Sequence, residues 1–230
     1  MVAVLPAWRL QPNLAKPVDV PVSSGVSHGT DSSSPSGRLA SGVLPLEAES
    51  DDVTLYVALL RGIGPGNPAM RNENLRRVCE ELGYGSVQTV ISSGNVVFES
   101  DIDDRAALEA SMELAWPREL GFESTTIVRS RSALESLVDL KPFGDLEHGR
   151  ETYLLVTFAK HSLEIPFDLP HIPFGQGYEV VAATKTEMFT VTDTTAERTP
   201  NVMGWVEDQF GKLVSSRTWL TVSRILGRMG

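Results

Sequence analysis

Residues 58–70, ALLRGIGPGNPAM, carry Arg61 and three glycines, Gly62, Gly64 and Gly66, between an apolar run and a segment with helical periodicity. A glycine-rich loop leading from a strand into a helix can turn backbone N–H groups, and the positive end of the helix dipole, toward an anion. In such a site Arg61 would supply charge and Asn67 a hydrogen-bonding amide. Ser93, Gly94 and Asn95 of the segment SSGN could add further hydrogen bonds, and Arg217 and Trp219 of SSRTWL a second cation and an aromatic face. The chemistry on offer is recognition of a small anion, a nucleotide or a phosphorylated metabolite. The spacing GxGxG is, however, neither the dinucleotide pattern GxGxxG nor the phosphate loop GxxxxGK(S/T). Pro65 and Pro68 also lack the N–H donors that a phosphate cradle uses. The same residues fit a plainer reading: a turn needing positive φ, a helix opened by Asn67 and Pro68, and a hairpin needing Gly94.

Catalytic patterns are sparse. The four histidines, His28, His148, His161 and His171, fall in the tail or in loop-like segments, with no HExxH or CxxC pair and no GxSxG elbow. Cys79 lies on the apolar stripe of a helix, where an inert core thiol is expected. No metal and no cofactor are expected. The net charge of −10 over 230 residues argues against non-specific nucleic-acid binding, which depends on neutralising phosphates with Lys and Arg. No run reaches the roughly 18 apolar residues of a membrane helix, and prolines interrupt the N-terminal segment where a signal peptide needs a continuous apolar core. A single cysteine suits a reducing, cytoplasmic setting.

The elements that must position these residues follow from the pattern. Residues 1–52, rich in Ser, Gly and Pro, are expected to form a disordered tail. Residues 53–140 read as one unit and 150–230 as a second. In the first, VTLYVALLRG is a strand buried on both faces. A helix follows, with Leu75, Val78, Cys79 and Leu82 on one stripe and Gly83 ending it. SVQTVISSGNVVFES forms two strands around a turn, a helix runs over about 103–116 and stops before Pro117, and ESTTIVRS is a fourth strand. The order β-α-β-β-α-β is the ferredoxin-like unit, or alpha-beta plait. Its topology brings the end of the first strand beside the turn between the second and third, so the glycine loop and SSGN share one sheet edge. In SSGNVVFES only Phe98 is aromatic, so core packing rather than RNA stacking is expected there.

The second unit echoes the first less regularly. ETYLLVTFA is a strand and YEVVAATKTEMFTVTD a hairpin turning near Thr184 and Lys185. A helix begins at Pro200 and closes at Gly211. The last helix is expected to start at a cap on Ser215 or Ser216. That start places Arg217, Arg224 and Arg228 on one helical face, with Arg217 in the first turn, where the dipole disfavours a cation. The expected fold class is α+β, two ferredoxin-like subdomains in tandem.

The stretch YVALLRGIGPGNPAMRNENLRRVCEELGYGSVQTVISSGNVVFES resembles the bacterial domain-of-unknown-function family 1697, whose members open with LLRGIN and continue to a QSGNVVF-like strand pair. NVMGWVEDQFGKLVSSRTWLTV resembles the family's C-terminal segment, so the likeness spans about residues 53–229. It implies tandem ferredoxin-like subdomains in a cytoplasmic bacterial protein and carries no agreed activity. The positions matching its motifs are Arg61, Gly62, Ser93, Gly94, Asn95, Arg217 and Trp219. Gly64 stands where many members have Asn, and Leu220 replaces a usually polar residue. The reading of function is a binding module for a small anion. The alternatives are a hydrolase or transferase acting on a phosphorylated small molecule, and an assembly module that pairs sheet edges.

Overall fold

A computed structural model describes residues 53–64, 66–92, 94–173, 177–194 and 201–230; the expected tail, Pro65, Ser93 and Pro200 lie outside them. The first half is built on β1 (Thr54–Leu60), β2 (Gly85–Thr89), β3 (Asn95–Ser100) and β4 (Thr126–Ser130), hydrogen-bonded in the order β2-β3-β1-β4 with every pairing antiparallel. Helices α1 (Asn72–Glu81) and α2 (Arg105–Leu120) cover one face. The stripe read from the sequence is the buried one: Leu75, Val78 and Cys79 are buried, Leu82 packs at the margin, and Gly83 follows with φ +89.

Asp104 caps α2, accepting from the N–H groups of Ala106 and Ala107 at 2.9 and 3.2 Å. The helix does not stop before Pro117 but runs through it to Gly121, whose φ of +72 closes it. Packing outweighs the lost helical hydrogen bond: Trp116 is fully buried and its indole N–H donates to Thr126 Oγ1 at 2.9 Å, holding the last turn against β4. A further helix, α3 (Arg131–Asp139), starts directly after β4 with Ser130 as its cap and buries Leu134 and Leu137. The sequence reading had no helix there, although Leu134, Leu137 and Val138 stand at i, i+3 and i+4.

The second half repeats the sheet pattern. Strands β5 (Thr152–Ala159), β6 (Tyr178–Ala183), β7 (Glu187–Asp193) and β8 (Val214–Thr218) lie in the order β6-β7-β5-β8, again antiparallel throughout. The hairpin turns at Thr184 and Lys185, and α4 (Val202–Phe210) ends at Gly211 with φ +75. The last helix is shorter than expected. SSRT is strand β8, paired along β5 from Leu155↔Thr218 to Ala159↔Val214, and α5 (Trp219–Met229) begins only after it. The cap is Thr218, which accepts from Thr221 N–H at 3.1 Å, and not Ser215 or Ser216. Arg217 is therefore a strand residue, and the expected stripe of Arg217, Arg224 and Arg228 on one helix does not exist. Arg224 and Arg228 are exposed and Arg217 is buried.

One central core joins the halves. Val57, Leu59 and Ile127 of the first sheet pack in the same cluster as Val156, Phe158 and Phe189 of the second, with α3 and α5 contributing Leu134, Val222 and Ile225. Polar contacts cross the same seam: Arg129 to Glu187, and Lys160 Nζ to Glu113 Oε1 at 2.6 Å. Among the described residues no helix is long and apolar enough to cross a membrane.

Candidate functional site

The end of β1 and the turn before β3 meet as the strand order requires. Leu59 faces Asn95 across the ladder, and Leu60 N–H donates to Gly94 O at 2.8 Å. The backbone of Arg61 is fixed on the other side, its N–H on Thr125 O and its carbonyl accepting from Ser124 Oγ, both at 2.8 Å. Chain reversal follows at once, with Gly62 at φ +73. The Arg61 side chain does not reach into open space. It crosses to α4 and forms an ion pair with Glu207, so its charge is already compensated, while its Nε is buried without a partner.

The remaining loop residues divide by what surrounds them. Asn67 is exposed, and its Oδ1 accepts from Ala69 N–H at 3.0 Å, capping a single short turn over Pro68–Met70. A Cβ on Gly64 or Gly66 would meet nothing within 4 Å. Gly94 is different. Its φ is +71, and a Cβ there would stand 2.6 Å from Ile63 Cγ1 and 3.0 Å from Leu60 Cβ. The glycine is what lets the two loops touch. Gly94→Ala is expected to cost about 3 kcal/mol from backbone strain and overpacking together, read as a lowered denaturation midpoint. Gly64→Ala, in open space, should stay within about 0.5 kcal/mol of the parent. Equal effects from the two would show that the contact at Gly94 relaxes.

Arg217 and Asn95 form the centre of this edge. Asn95 is 1% exposed; its Nδ2 donates to Val90 O at 2.9 Å and its Oδ1 accepts from Arg217 Nε. Arg217 Nη1 donates to Ser215 Oγ at 2.9 Å and Ser216 O at 2.8 Å, and Nη2 to Leu60 O at 2.8 Å and Gly94 O at 3.1 Å. The guanidinium thus ties β8 to the ends of β1 and β3. Its hydrogen-bonding is satisfied entirely by carbonyls, a hydroxyl and an amide. Among the described residues no carboxylate pairs with it, and burial pushes its pKa down to about 10.

Above this rivet the two halves enclose a cleft of about 710 Å³. Leu60, Gly62, Ile63 and Ile91 line it from the first half, and Tyr153, Leu155 and Met203 continue its apolar wall from the second. Hydroxyls of Thr192, Thr194, Ser216, Thr218 and Thr221 are set among them, with Asn201 and Val202 at the start of α4. Arg217 is the sole Asp, Glu, Lys, Arg or His among these described lining residues. Thr192 is only 5% exposed, and its Oγ1 is buried without a hydrogen-bond partner. The α4 N-terminus is capped by Asn201, which accepts from Gly204 N–H at 2.9 Å. The helix itself provides no acceptor for the N–H groups of Val202 and Met203.

Of the residues singled out from sequence, the structure brings Gly62 and Arg217 to the cleft, and Asn95 and Gly94 directly behind Arg217. Arg61, Gly64, Gly66 and Asn67 do not line it, and Ser93 is outside the described residues. Trp219 packs edge-on to Phe143 and Phe189, at centroid distances of 5.2 and 6.1 Å, as part of the core. The sequence reading missed the threonines. Their signal was present in the alternation Thr190, Thr192, Thr194, which places two hydroxyls on one face of β7 and a third just past its end. Cys79 is buried and its thiol is pushed up to about 12 by desolvation, so it is no nucleophile.

No curated protein matches the chain. Its fold is similar to that of the conserved bacterial protein SP0830 from Streptococcus pneumoniae, with a TM-score of 0.58 and 18% identity over 77% of this chain and 98% of that one. The family model described as a protein of unknown function, DUF1697, matches residues 53–189, a span that ends within β7 and so stops short of Arg217 and Trp219. Those residues take in the glycine loop, the turn at Gly94 and most of both sheets, and the chain belongs to the DUF1697 family.

Proposed function

We propose that the protein is a binding module for a small anionic ligand, held in the cleft between its two halves. The observation that carries this reading is that Arg217, buried and with no carboxylate beside it among the described residues, is the one charged residue among the described residues lining the cleft. A cation in a low-dielectric setting favours an anion nearby far more than one in water does. In this reading Arg217 supplies the charge, the hydroxyls and the first turn of α4 supply hydrogen bonds, and Arg61 braces the wall through Glu207. Binding is favoured over hydrolysis or group transfer because the described lining residues include no histidine, carboxylate, lysine or cysteine to act as a general base or nucleophile.

The same proposal takes each half as a ferredoxin-like plait, supported by the antiparallel order β2-β3-β1-β4 and its repeat. It places the protein in the bacterial cytoplasm, supported by the bacterial structural relative and by a lone, buried cysteine.

The test is a thermal-shift screen of the full chain against simple anions, sugar phosphates, nucleotides and carboxylic acids, beside Met203→Trp, which fills the cleft with a larger side chain. A ligand at about 100 times its Kd should stabilise the parent by roughly 2.7 kcal/mol, and the shift should vanish in the variant. Shifts that persist in Met203→Trp would place the ligand elsewhere and overturn the reading.

A further inference from the structure

We infer that the ligand of the cleft carries an apolar body, an alkyl or aryl group joined to its anionic head, and that Ile91 is the side chain that receives it. This rests on the cleft being the ligand site and adds the chemical class of the ligand's uncharged part.

The backbone at Ile91 carries the inference. This residue lies in the turn between β2 and β3 with a φ of +50, a region that a side chain branched at Cβ enters only at a cost in free energy. Among the described residues, Ser86 and Lys141 also have positive φ, and each has an ordinary reason. Ser86 stands at the bulge between Gly85 and Gln88, and Lys141 just past the end of α3, where helices commonly finish in the left-handed region. Ile91 has neither reason, and a glycine or asparagine would take the same turn with less strain. The fold nevertheless fixes it from both sides. Val90 N–H donates to Asn95 O and Val90 O accepts from Asn95 Nδ2, both at 2.9 Å. Beyond the turn, Gly94 O accepts from Leu60 N–H at 2.8 Å and from Arg217 Nη2 at 3.1 Å.

Core packing does not account for the isoleucine. Its side chain is 40% exposed and belongs to none of the three apolar cores, whereas Val90 beside it is buried in the central one. Ile91 lines the cleft instead. Strained residues held in place by their surroundings cluster at ligand sites. Tyr153 borders the same cleft from the second half, also exposed, with its ring packed on His148 at a centroid distance of 4.8 Å. Leu60, Ile63, Leu155 and Met203 continue the apolar lining. An apolar body seated there removes from water the surface that Ile91 and Tyr153 now expose, which offsets the strain once a ligand is bound. Nothing in this argument depends on whether the charged head is a carboxylate or a phosphate.

The experiment is isothermal titration of the full chain near pH 7.5 with two heads on matched chains: butyrate and hexanoate, butyl phosphate and hexyl phosphate. Acetate and inorganic phosphate serve as the heads alone. Ile91→Gly and Ile91→Asn are run beside the parent. The series that binds identifies the head. Within it the longer chain is expected to bind at least about fivefold more tightly than the shorter, against roughly fourfold for each methylene fully buried. Both variants should weaken the longer chain by at least about threefold while leaving the melting temperature of the free protein equal or higher, because both relieve the turn. A lower melting temperature in both would make Ile91 a structural contact and overturn the inference. Unchanged binding in both variants, with Met203→Trp abolishing it, would overturn the role of Ile91 and leave the cleft standing. Affinity independent of chain length would overturn the apolar body and leave the anion site. No binding of any chain at about 10 mM would overturn the inference, and if the broader anion screen is silent too, the site reading falls with it.

Discussion

Arg129→Met is expected to destabilise the protein by about 3–5 kcal/mol, the range for stripping one partner from a buried ion pair. Arg129 is 2% exposed and Glu187, its partner across the seam, 5%. Nε donates to Glu187 Oε1 at 2.8 Å, Nη1 to Val128 O at 2.9 Å and Nη2 to Ala159 O at 2.8 Å. The guanidinium also lies 5.6 Å from the centroid of the Phe158 ring. Glu187 is further held by the hydroxyls of Thr184 and Thr186, at 2.5 and 3.0 Å, so the hairpin turn of the second sheet is organised around this carboxylate. Methionine keeps much of the stem's packing but leaves Glu187 as a buried charge with no cation. The double variant Arg129→Met with Glu187→Leu removes both desolvated charges and should recover at least half of the loss. Equilibrium urea denaturation of the four proteins measures this directly. If the double variant is no more stable than Arg129→Met alone, the cost lies in lost carbonyl partners and not in the orphaned carboxylate.

This pair shows what local sequence could and could not reveal. The positions of β1, α1, the β2–β3 hairpin and the β6–β7 hairpin were legible because each is fixed by a pattern within the segment: a continuous apolar run, one helical stripe, a turn glycine, and a polar break at Thr184 and Lys185 between two β-rich runs. Elements whose limits depend on distant partners were misread. Ser215 and Ser216 have the chemistry of helix caps, but pairing with β5 draws them into β8, and Thr218 takes the cap instead. Pro117 looks like a helix stop until Trp116 is seen anchored on Thr126.

The candidate site divides in the same way. That the glycine loop and the turn at Gly94 share an edge followed from topology and is what the ladder contains. That Arg61 is spent on Glu207, while Arg217 is buried with no carboxylate beside it among the described residues, depends on how α4 and β8 meet the first half. Residues 146 and 157 positions apart in sequence make those contacts, and no periodicity within one segment encodes them. That Arg217 of β8, and not Arg61 of the glycine loop, is the charged residue lining the cleft among the described residues is thus a tertiary result.

Arg217 carries the second large effect. Arg217→Met should cost about 3–5 kcal/mol, because one side chain satisfies acceptors on β1, β3 and β8 together. Without it Asn95 Oδ1 loses the donor it shares with Arg217, and the carbonyls of Leu60 and Gly94 lose a bond in a buried setting. Arg217→Lys retains the charge but offers one ammonium in place of three nitrogens in a plane, so it cannot span Asn95, Leu60 and Ser215 at once; it should lose most of the same stability. Asn95→Ala removes the acceptor for Nε along with its own bond to Val90 O. Since the two side chains belong to one network, the double variant Asn95→Ala with Arg217→Met should be less destabilised than the sum of the singles by at least about 1 kcal/mol. Additive losses in urea denaturation would mean that Arg217 and Asn95 hold the halves together independently. Coupled losses would mean that the cation bordering the cleft is positioned by the turn at Gly94, so the glycine edge acts on any anion there through the placement of Arg217.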